Sequence, residues 1–140
     1  MLFTKQMGRW AVAVMVGAVL VAAAGLIPAA AEAAPFDVKR LVVCKDIQDR
    51  EPVEISDRFS SDTTKVYAFL EAVDIPADTE IDFVWHHSGN EMVRVTVPVR
   101  QSGRWRTWAN KNLYGLTGSW RVEVQDADGA VIGAVEFEVK

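Results

Sequence analysis

The residue types that most often carry out catalysis or bind metals are scarce in this chain, which contains two histidines and one cysteine. His86 and His87 are adjacent, and neighbouring residues of a strand point to opposite faces. Zinc requires three or four convergent ligands, and a serine hydrolase requires a serine and an acid that converge on one histidine. No spacing in the sequence indicates either arrangement. We therefore expect no catalytic residues, no metal site and no cofactor, with His86 facing solvent and His87 near the core.

Two further features could support chemistry, but the sequence favours structural roles for both. Cys44 ends the apolar run 41–44, which predicts a small buried residue in a strand; a reactive or intermolecular thiol is the alternative, but it needs an activating neighbour. Residues 126–129 (Asp-Ala-Asp-Gly) begin like a calcium loop, yet the bidentate glutamate that closes a loop of about 12 residues is missing. Asp128-Gly129 between alternating strands is instead typical of a two-residue hairpin turn. Such a turn would pair Trp120 with Phe137 and Arg121 with Glu136.

A short charged segment follows the first predicted strand and contains Asp46, Asp49, Arg50 and Glu51. Exposed ion pairs of this kind contribute about 0–1 kcal/mol each. We interpret the segment as a solvated turn in which Arg50 pairs with a nearby acid, and binding of a ligand by its acidic residues is the alternative.

The N-terminal residues have the three parts of a secretory signal. Lys5 and Arg9 precede an uncharged apolar run over 10–27, and the small-residue sequence 31–33 (Ala-Glu-Ala) provides a cleavage site. We predict a signal peptide over residues 1–33, with an uncleaved membrane anchor as the alternative, and a single domain over residues 34–140. The expected location is periplasmic or secreted, and contact with a membrane would occur only through an uncleaved N-terminal segment.

The domain that follows has the periodicity of an all-β protein. Apolar and polar residues alternate in short runs between turn signals, a pattern that favours a sandwich or a barrel. We predict an antiparallel, immunoglobulin-like β-sandwich of about seven to eight strands after an N-terminal signal helix. The strands are expected near 38–45, 52–56, 64–73, 79–87, 91–100, 104–109, 119–126 and 131–139.

The net charge and the cysteine count limit the partners of the domain and the interactions that can stabilise it. The formal net charge of −4 argues against nucleic acid as a partner, because proteins that bind nucleic acids are normally basic. A single cysteine cannot form an internal disulfide, so packing must stabilise the exported domain.

Three segments of the domain resemble a known bacterial family, the domain of unknown function 2914. The resemblance rests on Val43-Cys44 with Ile47 and Asp49 to Val53, on Trp105-Arg106-Thr107-Trp108, and on Gly118, Trp120-Arg121-Val122, Val124, Asp126 and Gly129. It implies a short exported or membrane-anchored domain and brings no activity or catalytic residues with it. The ending Gly-x-Trp-x-Val-x-Val also resembles the last hairpins of bacterial immunoglobulin-like domains, a likeness of fold only.

One surface is a candidate binding site. Two three-residue loops with a central or final glycine, 88–90 and 101–103, predict hairpins that join residues 79–109 into a three-stranded meander. The first hairpin would pair Trp85 with Val93, and the second would pair Arg100 with Arg104. The outward face of the meander would then collect four arginines and one tryptophan: Arg94, Arg100, Arg104, Arg106 and Trp108. Glu80 and Asp82 on the neighbouring strand are the alternative partners of these arginines. Arginine recognises carboxylates and phosphates and stacks on aromatic rings, so the patch predicts an anionic ligand.

Together these features favour a non-catalytic binding or structural module of the bacterial cell envelope, whose partner is an unknown envelope protein or an anionic glycan. The alternative is a small exported enzyme with an unrecognised site. Convergent titratable groups in a deep pocket would favour the enzyme, whereas a flat face with exposed arginine and tryptophan would favour the module.

Overall fold

The computed structural model describes residues 35–140, and strands account for all the regular secondary structure of that part. All eight predicted strands are present, and a two-residue strand, β3, is added to them. The predicted signal peptide and its helix lie outside the described residues, and no described segment forms a helix able to cross a membrane. The strands are β1 (Asp37–Gln48), β2 (Glu51–Ile55), β3 (Arg58–Phe59), β4 (Lys65–Ile75), β5 (Thr79–His87), β6 (Asn90–Val99), β7 (Ser102–Asn112), β8 (Gly118–Gln125) and β9 (Val131–Val139).

The strands form two sheets that pack face to face. The four-stranded sheet has the order β2-β1-β4-β7, and the five-stranded sheet has the order β3-β9-β8-β5-β6. Neighbouring strands are antiparallel except for β3, which pairs in parallel with the end of β9. The predicted sandwich is therefore confirmed.

The core between the sheets contains most of the side chains that strand alternation directs inward, although Val93 on β6 is 37% exposed. Trp85 and Trp120 are at most 1% exposed, and the Trp120 ring stacks on Phe137 with centroids 5.9 Å apart. Trp105 packs against this core from β7. Large aromatic side chains bury about 150–250 Å² each, so they supply packing that a disulfide-free domain of this size requires.

The last hairpin has the predicted register but a different turn. Trp120 pairs with Phe137 and Arg121 with Glu136, as expected. The predicted two-residue turn is wrong, because the last paired residues of the two strands are Gln125 and Val131, so the connection is longer than Asp128-Gly129. A carboxylate oxygen of Asp126 accepts hydrogen bonds from the backbone N–H groups of Asp128 (3.0 Å) and Ala130 (2.9 Å), and a bulge beside Gln125 restores the register.

The β5–β6 hairpin also has the predicted strand register but a turn of a different length from the predicted one. Trp85 pairs with Val93 as predicted, but His87 pairs with Asn90, so the turn contains two residues rather than three. Ser88 and Gly89 both have positive φ angles, +50° and +84°, as a type I′ turn requires. A bulge between Trp85 and His86 accounts for the one-residue difference in turn length.

The predicted meander is wrong at its second hairpin. β6 pairs only with β5, whereas β7 pairs with β4 in the other sheet. The Asp78 carboxylate holds the connection between them, accepting hydrogen bonds from the Gln101 N–H (2.8 Å) and the Arg100 guanidinium (3.4 Å). The chain therefore crosses from one sheet to the other at Arg100-Gln101, and Arg100 does not pair with Arg104.

Strand β4 connects the two ends of the sandwich. At its end, Val73 pairs with Asp37 at the start of β1. Before its start, the Thr64 carbonyl accepts a hydrogen bond from the Leu113 N–H. Nine residues of strand separate these points, which is about 30 Å at 3.3 Å per residue.

Candidate functional site

The first strand extends beyond its sheet and carries a hairpin back over it. β1 pairs with β4 as far as Cys44, and from there it pairs with β2. Residues 45–55 thus form a two-stranded arm, with a turn at Asp49 and Arg50. Glu51 in this arm lies 2.6 Å from Arg106 on β7, although β1 and β4 separate β2 from β7 in the sheet. The arm therefore folds over the outer face of the four-stranded sheet.

Under the arm, three arginines meet two glutamates, and we call this group the arginine face: Arg40, Arg104, Arg106, Glu51 and Glu71. The Glu71 side chain is only 3% exposed and receives guanidinium hydrogen bonds from Arg40 and Arg104. Glu51 is bound by Arg106 at 2.6 Å and by Arg40 at 3.1 Å. With three positive and two negative charges, the face has a surplus of one positive charge.

The hydrogen bonds alter the titration of both glutamates. Burial by itself raises the pKa of Glu71, but the hydrogen bonds from Arg104 and Arg40 together outweigh burial and lower that pKa below 4.5. Arg106 and Arg40 lower the pKa of Glu51. Both carboxylates are therefore ionised at neutral pH and bind the arginines as fixed anions.

Aromatic rings continue the arginine face toward the turn of the arm. Trp108 stacks on Phe69 with centroids 6.2 Å apart, and the Arg40 guanidinium lies 4.9 Å from the Phe69 ring. Arg50 lies 5.9 Å from the Trp108 ring and has a φ angle of +61°. This strained position places a further cation above the tryptophan, since arginine rarely adopts the left-handed region.

The structure brings together three of the five predicted site residues. Arg104, Arg106 and Trp108 share the outer face of β7, where Trp108 is partly covered rather than freely exposed. Arg94 and Arg100 lie elsewhere, so the expectation that all five lie on one face is wrong. Arg94 belongs to the five-stranded sheet and pairs with Asp82 at 3.0 Å, the partner named as the alternative, while Arg100 pairs with Asp78 at the crossover.

Sequence reasoning missed the partners Arg40, Glu51 and Glu71. Glu51 was assigned to a solvated turn, because nothing local indicates that the arm folds over the sheet. A usable signal existed at Glu71, the only charged residue in the run 66–73 of an otherwise apolar strand. A buried acid in such a position requires a charged partner.

The outer face of the other sheet carries a groove of about 670 Å³. Arg121 lies in it between Glu123 (3.0 Å) and Glu136 (3.2 Å). His86 Nε2 lies 3.7 Å from Glu123 and has no hydrogen bond among the described residues. The arginine of the groove is thus already paired with two glutamates of the same groove.

His87 and Cys44 occupy the predicted environments, whereas the His86 side chain, predicted to face solvent, is only 20% exposed. His86 lies on the outer face, while His87 contacts Trp120 and its Nε2 lies 2.7 Å from the Thr117 carbonyl oxygen. Within residues 35–140, no three histidine, cysteine or acidic side chains are placed to hold a metal ion. Cys44 is a free and fully buried thiol, and burial raises its pKa.

Residues 78–139 match a family model described as protein of unknown function (DUF2914). The match runs from β5 to β9 and contains the motifs at 105–108 and 118–129, which confirms the resemblance there. It does not reach the motif at 43–53. Comparison with curated proteins gives no match.

Solved structures support the immunoglobulin-like form of the sandwich. An immunoglobulin-like protein from Pseudomonas aeruginosa superimposes with a TM-score of 0.50 at 14% identity, over 75% of this chain and 94% of that one. This likeness confirms the predicted fold and carries no function. A mutant β-glucosidase from Listeria innocua (TM-score 0.47, 10% identity, 75% of this chain and 16% of the enzyme) is too distant to support an inference.

Proposed function

We propose that this domain, whose strands β5 to β9 match DUF2914, is a non-catalytic binding module of the bacterial cell envelope. The surface that best supports binding is the arginine face together with Arg50 and Trp108. The proposed partner is an anionic envelope component, a protein or a glycan that carries carboxylates or phosphates. The N-terminal residues support export to the periplasm or the exterior.

The observation that carries the proposal is a surplus of positive charge on one face of an acidic chain. Arg40, Arg50, Arg104 and Arg106 lie on this face with two glutamates, whereas the whole chain has a net charge of −4. Arg104 is 53% exposed, so its guanidinium is accessible to a ligand. Guanidinium groups recognise carboxylates and phosphates through paired hydrogen bonds.

The fixed carboxylates suit this role. Because Glu51 and Glu71 hold the arginine side chains in place, less conformational entropy is lost when a ligand binds. The Trp108 ring, which lies against Phe69, keeps the Arg50 guanidinium beside the other cations of this surface.

The test compares capture of envelope components by the immobilised full chain and its variants. Replacing Arg104 and Arg106 with alanine removes two cations, and we expect capture to fall about tenfold, a loss of about 1.4 kcal/mol. Added salt should weaken capture by the parent, because exposed charges are screened.

The matched control carries Arg94→Ala and Arg100→Ala, two arginines from the other parts of the domain. This variant should capture as the parent does. Circular dichroism at the assay temperature establishes that each variant is folded. Equal capture by the folded Arg104/Arg106 variant and the parent, or an equal loss in the control, would refute the proposed surface.

A further inference from the structure

The loop between β7 and β8 displays an aromatic ring to solvent. Tyr114 is 76% exposed, more than any other large hydrophobic side chain among the described residues. It lies in a tight turn closed by a hydrogen bond of 2.9 Å from the Leu116 N–H to the Leu113 carbonyl. Leu113 is fully buried, so the turn is anchored to the core while the tyrosine points away from it.

The backbone of this turn does not suit tyrosine. Tyr114 and Gly115 have φ angles of +51° and +72°, the combination of a type I′ turn, in which asparagine and glycine are preferred. A bulky residue is a true outlier in the left-handed region. Six described residues other than glycine have positive φ angles, and Tyr114 is the only aromatic one. Since burial of its ring does not offset the strain, stability does not explain this residue.

Neighbouring side chains contact both the Tyr114 ring and the backbone of its turn. The Lys111 ammonium lies 5.1 Å from the Tyr114 ring centroid and 5.6 Å from that of Trp120. The same ammonium donates a hydrogen bond of 2.6 Å to the Asn112 carbonyl, and the Asn112 side-chain oxygen accepts one of 2.9 Å from the Tyr114 N–H. Lys111 and Asn112 thus contact the tyrosine on its protein side, while most of its ring is exposed to solvent.

The surroundings of the ring are polar. Thr117 and Gly115 are exposed in the same loop. The adjoining β5–β6 turn is joined to the start of β8 by a hydrogen bond of 2.9 Å from the Ser88 N–H to the Ser119 carbonyl. Protein interfaces surround their aromatic anchors with further apolar surface, whereas among the described residues no other exposed large hydrophobic side chain lies in this loop or in the β5–β6 turn. A single open ring among hydroxyl, amide and ammonium groups is instead suited to a sugar, whose C–H face stacks on the ring while its hydroxyls form hydrogen bonds.

We propose that Tyr114 is the stacking platform of a carbohydrate-binding site at this end of the sandwich, and that its ligand is a pyranose glycan. The strained backbone is retained because it presents the ring, as strain often is at binding sites. This site shares no residue with the arginine face, so each of the two proposals can be refuted without refuting the other.

The test measures sedimentation of the purified full chain with insoluble peptidoglycan sacculi, with soluble N-acetylglucosamine oligomers as competitor. Tyr114→Asn should reduce binding about tenfold, a loss of about 1.4 kcal/mol, and should raise the melting temperature by about 4 °C because asparagine relieves the strain. Tyr114→Ala should reduce binding equally without that gain. Tyr114→Trp retains an aromatic platform and should bind as the parent does.

The competitor and a second variant distinguish this site from the arginine face. Binding through Tyr114 should be displaced by the uncharged oligomers, whereas the Arg104/Arg106 variant should retain that displaceable binding. If the parent does not sediment with sacculi, if the oligomers do not compete, or if Tyr114→Asn binds as the parent does, the proposal is overturned.

Discussion

The indole of Trp108 lies nearly parallel to the ring of Phe69, with an angle of 11° between their planes. Phe69 is completely buried although it lies on the outer side of its sheet. The stacked tryptophan and the guanidinium of Arg40 contribute to this burial. The four-stranded sheet therefore has a second, smaller cluster of buried residues outside the main core, and Glu71 is a buried charged group on the same side of the sheet.

Replacement of Glu71 by glutamine should destabilise the domain by about 2 kcal/mol, because Arg40 and Arg104 lose the carboxylate to which they donate. The melting temperature should fall by about 8 °C or more. Glu136→Gln is the matched control, since its carboxylate also pairs with an arginine but is 74% exposed. Thermal unfolding of both variants checks the prediction, and equal shifts would contradict it.

Stability should decrease in acid. The pKa of Glu71 is lowered below 4.5, and the Thr96 hydroxyl and the Arg94 guanidinium lower the pKa of Asp82 below 3.8. A group whose pKa is lower in the folded state stabilises that state fully above its ordinary pKa, and this contribution is lost as the pH falls. Melting temperatures between pH 7 and pH 2.5 should therefore decline below about pH 4.5. The decline should be smaller in Glu71→Gln, and an unchanged profile in that variant would contradict the assignment.

The Cys44 thiol should not react in the folded protein. It is fully buried at the base of the arm, and burial raises its pKa, so little of the nucleophilic thiolate forms at neutral pH. A thiol reagent should label the denatured protein rapidly and the native protein slowly. Glu51→Lys places a cation among three arginines and should accelerate labelling by opening the arm, whereas Glu136→Lys should not. Rapid labelling of the native parent would show that the arm does not protect the thiol.

Residues 34–140 should fold without the preceding segment. The described core begins at Phe36 and the first strand at Asp37, so no described strand is lost by the truncation. The shortened protein should unfold in a single cooperative transition with the same midpoint as the full chain. A broad or absent transition would mean that residues 1–33 contribute to the fold.

The sequence predicted most of the side chains that face inward, because alternation is a local property of each strand. It was wrong near the start of β6, where Val93 is 37% exposed, and at Val84, which is fully buried on the outward parity of β5. It also predicted the register of β8 and β9, where the apolar pair Trp120–Phe137 and the charged pair Arg121–Glu136 require the same alignment. The turns were less well predicted, since a bulge changes the turn length without changing the pairs beyond it.

The sequence did not predict which strand lies beside β7. Val99 and Trp105 face the core whether β6 and β7 form a hairpin or lie in different sheets, so alternation does not distinguish the two topologies. The arginine face was missed for a related reason. Arg106 and its partner Glu51 are 55 residues apart, and only the folding of the arm over the sheet brings them together.

The Tyr114 turn lies at the opposite end of the sandwich from the point at which the chain enters the first strand. The turn adjoins Thr64 before the start of β4, whereas the chain enters β1 at Asp37, beside Val73 near the end of β4. These points are about 30 Å apart. If the uncleaved segment anchored the domain through residue 35, the sandwich would place the tyrosine ring about 30 Å from the start of the first strand.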